Sequence, residues 1–392
     1  MKILHVVRTL DPAEGGPPQV AARLAAAQAA RGHDVHVVSY SRREVAERVA
    51  AQLAAVPHRE LVHFHPVTDP DLLERLSGRR ARATLKQVMA SADFVHIHGL
   101  WGGILYAAAT TAHRHAIPYC FRPAGMLDPW SLAQSRWKKR AALLAGYRAA
   151  LDRARFIHVL NDDERRLIQP LRLRASAVVI PNGVFLEEIQ PLPAPGTFRA
   201  TQPGLAGDPF VLFLSRLHSK KGLDVLAQAF TLLATRRPHV RLVVAGPDEG
   251  ARADFLARVQ AGGHGDRVHV VGPLYGRDKV AALADAACFC LPSRQEGFSV
   301  AIIEALACGR PVVISEACHF PEVARAGAGR IVTLDPAAVA AALDDTLEDS
   351  AFAARAGAAG AALVRERYTW DAIAEQCLAL YSGGPDPTTG GR

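Results

Sequence analysis

The alternation of short apolar segments with longer helical segments constrains the fold of this chain most. Thirteen runs rich in Val, Ile, Leu and Phe recur along it, and longer stretches with helical patterns separate them. We predict strands at 2–7, 34–39, 61–65, 93–97, 117–121, 155–160, 177–180, 210–214, 241–245, 267–271, 287–291, 311–315 and 330–333. This order of strands and helices indicates the α/β class with doubly wound parallel sheets.

The domain organisation follows from length and from one change of texture. A chain of 392 residues is too long for one ordinary domain and fits two. Between 181 and 209 the sequence is rich in Pro and Gly and lacks periodicity, which is typical of a linker. We predict two Rossmann-like domains, at 1–185 and 210–367, a linker at 186–209, a C-terminal helix at 368–382 and a disordered tail at 383–392.

Cysteine usage and apolar run length exclude several classes of protein. The six cysteines include no CxxC pair, which argues against a disulfide scaffold and a zinc ribbon. No stretch reaches eighteen uninterrupted apolar residues, and the start MKILHVV reads as a buried strand, not as a signal peptide. A cytoplasmic protein with reduced thiols is therefore expected.

The net charge of +8 is unevenly distributed. Residues 1–185 hold 26 Lys and Arg against 15 Asp and Glu, whereas residues 186–392 hold 20 against 23. The basic half indicates an anionic partner, such as a membrane surface, a lipid phosphate or a nucleic acid, or else an arginine-rich solvated surface. Nucleic acid is not expected, because no recognition module is present.

One basic segment also contains tryptophan. Arg136, Trp137, Lys138, Lys139 and Arg140 follow Trp130 within a few residues. Basic residues interleaved with tryptophan suit a membrane interface or a phosphate-bearing acceptor. A plain solvated helix is the alternative.

The segment 291–315 carries the strongest functional signal. A predicted strand ends there, a loop holds Glu296, Gly297, Phe298 and Ser299, and a helix runs from Ser299 to Gly309. Ligands of such sheets bind at the carboxyl ends of strands, and a helix N-terminus suits a phosphate or a sugar hydroxyl. Glu296 and Glu304 would face one cleft there. The alternative is that neither binds a ligand: Glu296 would be a charge near the start of the helix, and Glu304 would face solvent.

Two further loops point to a phosphate-bearing ligand. Arg216 and Lys221 follow the first strand of the second half, and two cations at a strand end neutralise a diphosphate without a metal. A solvated basic turn is the alternative. Gly15 and Gly16 follow the first strand of the chain and permit close backbone approach to a ligand. The chain has neither GxGxxG nor a phosphate loop ending in GK[ST], which argues against a dehydrogenase and a P-loop nucleotidase.

Histidine pairs with one intervening residue raise the question of a metal site. The pairs are His63 with His65, His96 with His98, and His113 with His115. Residues i and i+2 of a strand share a face, but the sequence places no Cys or carboxylate partner beside them, so no metal site is predicted. His98 is the functional candidate, because it lies at the end of the predicted strand 93–97, beside the cleft. Asp69-Pro70-Asp71 reads as a helix N-cap turn, not as a metal-binding DxD.

These motifs together resemble family 4 of the retaining glycosyltransferases, which have the GT-B fold. The second half matches through R-L-x-x-K-K-G (216–222), A-G-P (245–247), E-G-F-S (296–299) with Glu304, and A-C-G-R-P-V-V (307–313). The first half matches through its Gly-Gly loop, HIHGLW (96–101), GMLDPW (125–130) and PNGV (181–184). The resemblance covers nearly the whole chain. HGLW, GMLDPW and CHFPEVARAGAG (318–329) are similar to the branch that builds bacterial surface polysaccharides and lipopolysaccharide.

The resemblance implies a role for each matching residue. Arg216 and Lys221 would hold the donor diphosphate, which Gly16 would approach from the first domain. Glu304 would bind the ribose hydroxyls. Glu296 would bind the donor sugar, together with the backbone N–H groups of Gly297, Phe298 and Ser299. The C-terminal helix would cross back to the first domain.

The implied activity is retaining transfer of a hexose from a nucleotide diphosphate sugar to a glycan or lipid-linked glycan acceptor. A UDP-sugar is expected rather than a GDP-sugar, with no metal or other cofactor. The expected location is the cytoplasm, with peripheral contact at the inner face of the cell membrane. Two alternatives remain: a catalytically idle GT-B protein that binds sugar nucleotides or glycans, and a sugar-nucleotide epimerase of the same fold.

One position departs from the family pattern. The family usually has Pro-His-Gly before Met-Leu, and its His contacts the donor sugar, whereas this chain has Pro123-Ala124-Gly125. Either Arg122, His98 or a water would take over this contact, or activity would be reduced.

Overall fold

The computed structural model describes residues 1–205 and 207–384. The chain separates into two compact units, each with its own parallel sheet. The first unit comprises Met1–Asn182 and the segment from Trp370 onward, and the second comprises Gly183–Thr369. The tail predicted at 383–392 lies outside the described residues from position 385 onward.

The sheet of the first unit has seven parallel strands in the order β3-β2-β1-β4-β5-β6-β7. They are β1 (Lys2–Thr9), β2 (Asp34–Ser41), β3 (Val62–Thr68), β4 (Phe94–His98), β5 (Tyr119–Arg122), β6 (Phe156–Val159) and β7 (Ser176–Val179). The residues of β4, β5 and β6 are all buried, as expected for strands covered on both faces.

Helices connect these strands. They are α1 (Gly16–Ala30), α2 (Ala46–Ala54), α3 (Leu72–Ser77), α4 (Ala81–Met89), α5 (Gly103–Arg114), α6 (Pro129–Ala133), α7 (Arg136–Ala142), α8 (Arg148–Asp152) and α9 (Asp162–Ile168). The alanine-rich α1 ends just before Gly32, whose φ of 82° provides the left-handed turn that stops a helix.

The sheet of the second unit has six parallel strands in the order β10-β9-β8-β11-β12-β13. They are β8 (Phe210–Leu214), β9 (Arg241–Ala245), β10 (Val268–Gly272), β11 (Cys288–Leu291), β12 (Val312–Ser315) and β13 (Gly329–Val332). The helices are α10 (Thr197–Ala200), α11 (Leu223–Arg236), α12 (Arg252–Ala261), α13 (Gly276–Asp285), α14 (Val300–Ala307), α15 (Glu322–Arg325), α16 (Pro336–Glu348) and α17 (Ser350–Arg367). All thirteen predicted strands overlap observed ones.

The last helix, α18 (Trp370–Tyr381), belongs to the first unit. The Tyr381 ring stacks on Phe94 with centroids 4.0 Å apart, and Gln376 Nε2 donates to the Val179 carbonyl at 3.0 Å. The chain therefore returns to its first unit, as the resemblance implies.

The segment predicted as a linker packs on the second unit. The backbone N–H groups of Gly196 and Phe198 donate to the Asp285 carboxylate at 2.7 and 2.8 Å, and Phe198 and Leu205 are buried. The boundary falls after Asn182 rather than after residue 185, and the return begins at Trp370 rather than at 368. The segment lacks periodicity because side chain–backbone contacts, not a regular face, hold it in place.

The order of strands reverses once in each sheet. In the first unit the reversal lies between β1 and β4, and in the second between β8 and β11. The loops after the carboxyl ends of these strands form the usual ligand site of a doubly wound sheet. The loops after β1, β8 and β11 carry Gly15, Arg216, Lys221 and Glu296.

Candidate functional site

In the second unit, the loops after β8 and β11 touch through their backbones. Gly222, which ends the β8 loop, has a φ of 69°, and a Cβ at this position would lie 1.8 Å from the Pro292 carbonyl oxygen. Only glycine fits there. Ser293 Oγ also donates to the Lys220 carbonyl at 3.0 Å. The two loops are therefore held together before any ligand binds.

Two of the predicted residues bind each other across these loops. Lys221 Nζ donates to Glu296 Oε1 at 2.6 Å, and the two side chains are 13% and 7% exposed. Charges as buried as these require a partner, because burial removes their hydration. Lys221 was predicted to hold a diphosphate and Glu296 a sugar. The structure joins their two side chains directly by one hydrogen bond.

Arg216 has a carboxylate partner that sequence reasoning missed. Its Nη1 donates to both oxygens of Glu249 at 2.9 and 2.7 Å, while its side chain stays 60% exposed. Glu249 lies in the loop after β9, the other neighbour of β8. The acidic pair Asp248-Glu249, two residues after the predicted strand 241–245, was the signal that could have revealed it.

Glu304 lies on α14, in the helix that follows the Glu296 loop. Lys279 of α13 donates to its Oε1 at 2.6 Å, a contact that the sequence did not indicate. Ser299 precedes the first residue of α14, Gly297 is exposed, and the Phe298 ring packs 5.6 Å from Phe320. The predicted loop thus lies at the carboxyl edge of β11 and at the start of a helix.

The electrostatics of this edge suit a dianionic ligand. Arg216 and Lys221 each have one carboxylate partner, and both follow β8. A diphosphate offers several oxygens and two charges, so it competes with single carboxylates for such cations. Glu304 has a second carboxylate oxygen besides the one that Lys279 uses.

In the first unit, Gly15 and Gly16 lie between β1 and α1. Gly15 has a φ of 90°, and Gly16 begins the fifteen-residue helix α1. A Cβ at either position would meet no atom within 4 Å. Gly15 is therefore required for its backbone conformation and not by crowding, and the helix start has open space beside it.

His98 ends β4 and is buried, 1% exposed. Its Nε2 lies 2.9 Å from His5 Nδ1, and its ring stacks on His96 with centroids 4.3 Å apart. Burial, together with the charge of Arg122, lowers the pKa of His98 well below its usual value, so the ring is neutral.

Arg122 pairs in register with His98 on the neighbouring strand β5. It is 2% exposed, and its Nη2 donates to Asn182 Oδ1 at 2.8 Å. Burial lowers the pKa of this guanidinium to about 10, which leaves it charged at neutral pH. Within the described ranges, Arg122 Nε, Arg122 Nη1 and His98 Nδ1 have no hydrogen-bond partner.

Nitrogen and sulfur atoms converge in this core more than the sequence indicated. One ring nitrogen or sulfur atom of each residue lies within 4.8 Å of those of the others in two groups. The first group is His5, His96 and His98, and the second is His96, His158 and Cys377. The signal that sequence reasoning underused was histidine at inward positions of otherwise apolar strands. His113 and His115, by contrast, lie at the end of α5 and not on a strand.

Two smaller interpretations concern the first unit. Asp71 Oδ1 accepts from Glu74 N at 2.7 Å before α3, so the N-cap interpretation of 69–71 is confirmed. The basic helix α7 is largely exposed, and its Trp137 is 70% exposed, while Trp130 on the preceding helix α6 is 59% exposed. Arg136 and Arg140 lie over the Trp137 ring at 4.8 and 5.6 Å.

Over residues 1–205 and 207–384, no helix combines the length and apolarity that crossing a membrane requires.

Two family models match the chain. Residues 15–183 match "Glycosyl transferase 4-like domain", and residues 208–349 match "Glycosyl transferases group 1". Together they include the Gly-Gly loop, His98 and the four charged residues of the second unit.

Several curated relatives are mannosyltransferases. The chain is 30% identical to the GDP-mannose:cellobiosyl-diphosphopolyprenol alpha-mannosyltransferase of Xanthomonas campestris, over 86% of this chain and 84% of that protein. It is 34% identical to the phosphatidyl-myo-inositol mannosyltransferase of Mycobacterium leprae, over 56% of this chain and 57% of that protein. The chain thus matches little more than half the length of the mycobacterial relative. The donor named for the Xanthomonas relative gives no support to the expected UDP.

Solved structures share the fold. HepE of Anabaena, solved with UDP and glucose, has a TM-score of 0.74 at 20% identity, covering 97% of this chain and 99% of that one. WaaG, a glycosyltransferase involved in lipopolysaccharide biosynthesis, has a TM-score of 0.67 at 18% identity, covering 97% and 100%. The predicted GT-B fold is confirmed.

Proposed function

Because this chain belongs to family 4 of the glycosyltransferases, we propose that it transfers a hexose from a nucleotide diphosphate sugar to a lipid-linked glycan. The observation that carries the proposal is the Lys221–Glu296 pair at 2.6 Å. It lies where the strand order of the second unit reverses, the usual place for a nucleotide on such a sheet.

We propose GDP-mannose as the donor, in place of the expected UDP-sugar. Several relatives have GDP-mannose in their names, among them that of Xanthomonas campestris and a phosphatidylinositol monomannoside mannosyltransferase of Corynebacterium glutamicum. The base would lie near the loop after β9, where Gly246 N donates to the Gly272 carbonyl at 2.9 Å.

The charged residues divide the donor among them. Arg216 and Lys221 neutralise the diphosphate as negative charge develops on the leaving group, exchanging their carboxylate partners for phosphate oxygens. Glu296, released from Lys221, accepts a hydrogen bond from the sugar. Glu304 accepts from the ribose hydroxyls through the oxygen that Lys279 does not use. This division gives each carboxylate a separate part of the donor.

The proposed transfer retains the anomeric configuration and needs no metal. The acceptor attacks the face that the diphosphate leaves, and a phosphate oxygen takes the proton of the attacking hydroxyl. Such a reaction depends on positioning and charge stabilisation more than on a protein nucleophile. Two cations on one loop provide the charge that a metal would otherwise supply.

The proposed acceptor is attached to a lipid, so the enzyme would act at a membrane surface. The product would be a cell-surface polysaccharide or a lipopolysaccharide. The exposed Trp137 and its basic neighbours on α7 would contact anionic headgroups. Leu144, two residues after the end of this helix, is 90% exposed and offers an apolar side chain for the same interface.

The test uses the full chain with GDP-mannose and a cellobiosyl-diphosphopolyprenol acceptor. We expect release of GDP that depends on the acceptor, an α-linked mannosyl product by NMR, and unchanged rates in EDTA. UDP-glucose in place of GDP-mannose should give little product. A donor epimerised without an acceptor would favour the epimerase, and binding without turnover would favour the idle protein. Either result would contradict the proposal.

A further inference from the structure

A continuous series of hydrogen bonds runs through the core of the first unit and ends at His98. Its six links are Ile180 O to His158 Nε2 (2.8 Å), His158 Nδ1 to His96 Nε2 (3.3 Å), His96 Nδ1 to Tyr381 OH (2.6 Å), Tyr381 OH to Gln28 Nε2 (3.3 Å), Gln28 Oε1 to His5 Nε2 (2.8 Å) and His5 Nδ1 to His98 Nε2 (2.9 Å). We call this series, from Ile180 to His98, the relay. Every side chain that takes part in its hydrogen bonds is buried.

The Ile180 carbonyl fixes the direction of the relay. A carbonyl only accepts, so His158 Nε2 carries a hydrogen. Burial lowers the pKa of His158 and of His96 well below the usual value, so both rings are neutral and carry one hydrogen each. His158 Nδ1 therefore accepts from His96 Nε2, and His96 Nδ1 must accept from Tyr381 OH.

Tyr381 passes this direction on to Gln28. Its single hydroxyl hydrogen goes to His96, since the thiol of Cys377 one turn earlier is the weaker acceptor. The tyrosine oxygen then accepts from the Gln28 amide nitrogen. The opposite amide orientation would set two oxygens against each other with no hydrogen between them, so Gln28 Oε1 faces His5.

The direction reaches His98 through His5. His5 Nε2 donates to Gln28, and burial lowers the pKa of His5 to about 4, so its Nδ1 is an acceptor. His98 Nε2 consequently donates to it, which leaves a lone pair on His98 Nδ1. That nitrogen has no partner in the described part of the chain, and neither do Arg122 Nε and Nη1 on the adjacent strand.

We propose that the relay makes His98 an obligate hydrogen-bond acceptor, with Tyr381 as the residue that positions its lone pair, and that His98 and Arg122 together bind a hydroxyl group. A hydroxyl donates to His98 Nδ1 and accepts from Arg122, whereas an anion has no hydrogen for the histidine. Buried groups left unpaired are costly, so an occupant with both capacities is favoured. The hydroxyl belongs to a sugar, in which case the inference rests on the proposed function, or to a buried water.

The direct test is the tautomer of His98 in the whole protein. In a sample labelled with ¹⁵N-histidine, and with His98 assigned by comparison with His98→Gln, we expect Nδ1 at the chemical shift of an unprotonated nitrogen and Nε2 at that of a protonated one. A protonated Nδ1 would overturn the proposal. This measurement needs no donor, so it stands or falls separately from the transferase activity.

Tyr381→Phe tests the relay, since the phenyl ring keeps the stacking on Phe94 and loses only the hydroxyl. Without it the Gln28 amide is free to turn, both directions become allowed, and the His98 Nδ1 signal should move toward the protonated position. Turnover should fall about fivefold, with unchanged affinity for GDP. The matched control is Tyr119→Phe, which removes another buried tyrosine hydroxyl, hydrogen-bonded to the Ala150 carbonyl at 2.7 Å. An equal change of the His98 signal in both variants would overturn the role of Tyr381.

Two additions identify the occupant. A shift of the Nδ1 signal with GDP-mannose but not with GDP identifies a sugar hydroxyl. An Nδ1 signal that stays unprotonated and unchanged with both identifies a buried water, and either result supports an acceptor at His98. If EDTA or added zinc displaces the signals of His5, His96 and His98 together, a metal ion holds these rings, and the relay is refuted.

Discussion

The two sheets reverse their strand order in the same way but build opposite environments at the reversal. In the second unit, Arg216 and Lys221 form ion pairs with carboxylates from neighbouring loops. In the first unit, His98 ends a buried series of neutral side chains beside one charged residue, Arg122. The cations of the second unit suit an anionic ligand that replaces their carboxylate partners. The lone pair of His98 suits a ligand group that donates a hydrogen bond. Each reversal thus carries a candidate ligand site, and the side chains decide which chemistry each one suits.

The largest predicted difference between the two units is the loss of stability of the first unit in acid. Burial lowers the pKa of His5 from 6.5 to about 4, so the unfolded chain binds a proton that the folded unit excludes. The stability is therefore complete above pH 6.5 and falls as the pH drops toward 4, by about 3 kcal/mol for His5 alone. All four tryptophans, Trp101, Trp130, Trp137 and Trp370, lie in the first unit, so their fluorescence during urea unfolding reports on it. Equal urea midpoints at pH 7.5 and pH 5 would contradict this.

Loss of a cation should abolish most activity in the second unit. Lys221→Ala should lower turnover about a hundredfold, the usual cost of losing one group that stabilises developing negative charge. Arg294→Ala is the matched control, because it breaks the nearby Arg294–Asp224 pair at 2.6 Å and should leave turnover within about twofold. Single-turnover rates with GDP-mannose decide the case, and similar losses in both variants would indicate a structural effect.

Removing the acceptor of the first unit should cost somewhat less. His98→Ala should lower the single-turnover rate about thirtyfold, or about 2 kcal/mol, because one hydrogen bond to a hydroxyl is lost and Arg122 stays buried. Ala124→His should be neutral or harmful, although histidine tolerates the φ of 49° at this position better than most residues do. A large gain of activity in Ala124→His would mean that the position is degenerate and that His98 does not replace the family histidine.

The two glutamates of the second unit should differ in what they bind. Glu304→Ala should weaken binding of bare GDP about tenfold, because its proposed partner is the ribose. Glu296→Ala should leave GDP affinity within about twofold and reduce transfer instead. Calorimetry with GDP compares them directly, and equal losses of affinity would exclude this division of roles.

The smallest effect should concern the membrane. Arg136→Gln should weaken binding to anionic vesicles about fivefold at low salt, since one basic residue near such a surface contributes about 1 kcal/mol. Arg365→Gln removes an exposed arginine from α17 of the second unit and should not change sedimentation with vesicles. Unchanged binding of the Arg136 variant would leave α7 as a solvated helix or an acceptor clamp.

Local pattern carried the fold prediction further than the site prediction. All thirteen strands and the C-terminal helix were predictable, because hydrophobic periodicity and glycine stops act over a few residues. The segment 186–209 was predicted as a linker since its anchor, the Asp285 carboxylate, lies 87 and 89 residues away from the N–H groups it holds. The same limit applied to Glu249 and Lys279, the partners of Arg216 and Glu304.

The sequence by itself determined the class of fold, the family and the loops that hold the charged residues, because each of these depends on residue types at short spacing. Only the tertiary structure decided that Lys221 meets Glu296, and that His98 receives its tautomer from Tyr381, 285 residues beyond His96. Hydrogen bonds require atoms within about 3 Å, and only a folded sheet brings distant strands and a returning helix to that distance. The identity of a site residue is thus local, whereas its partner, and with it the chemistry of its lone pair, depends on the whole unit.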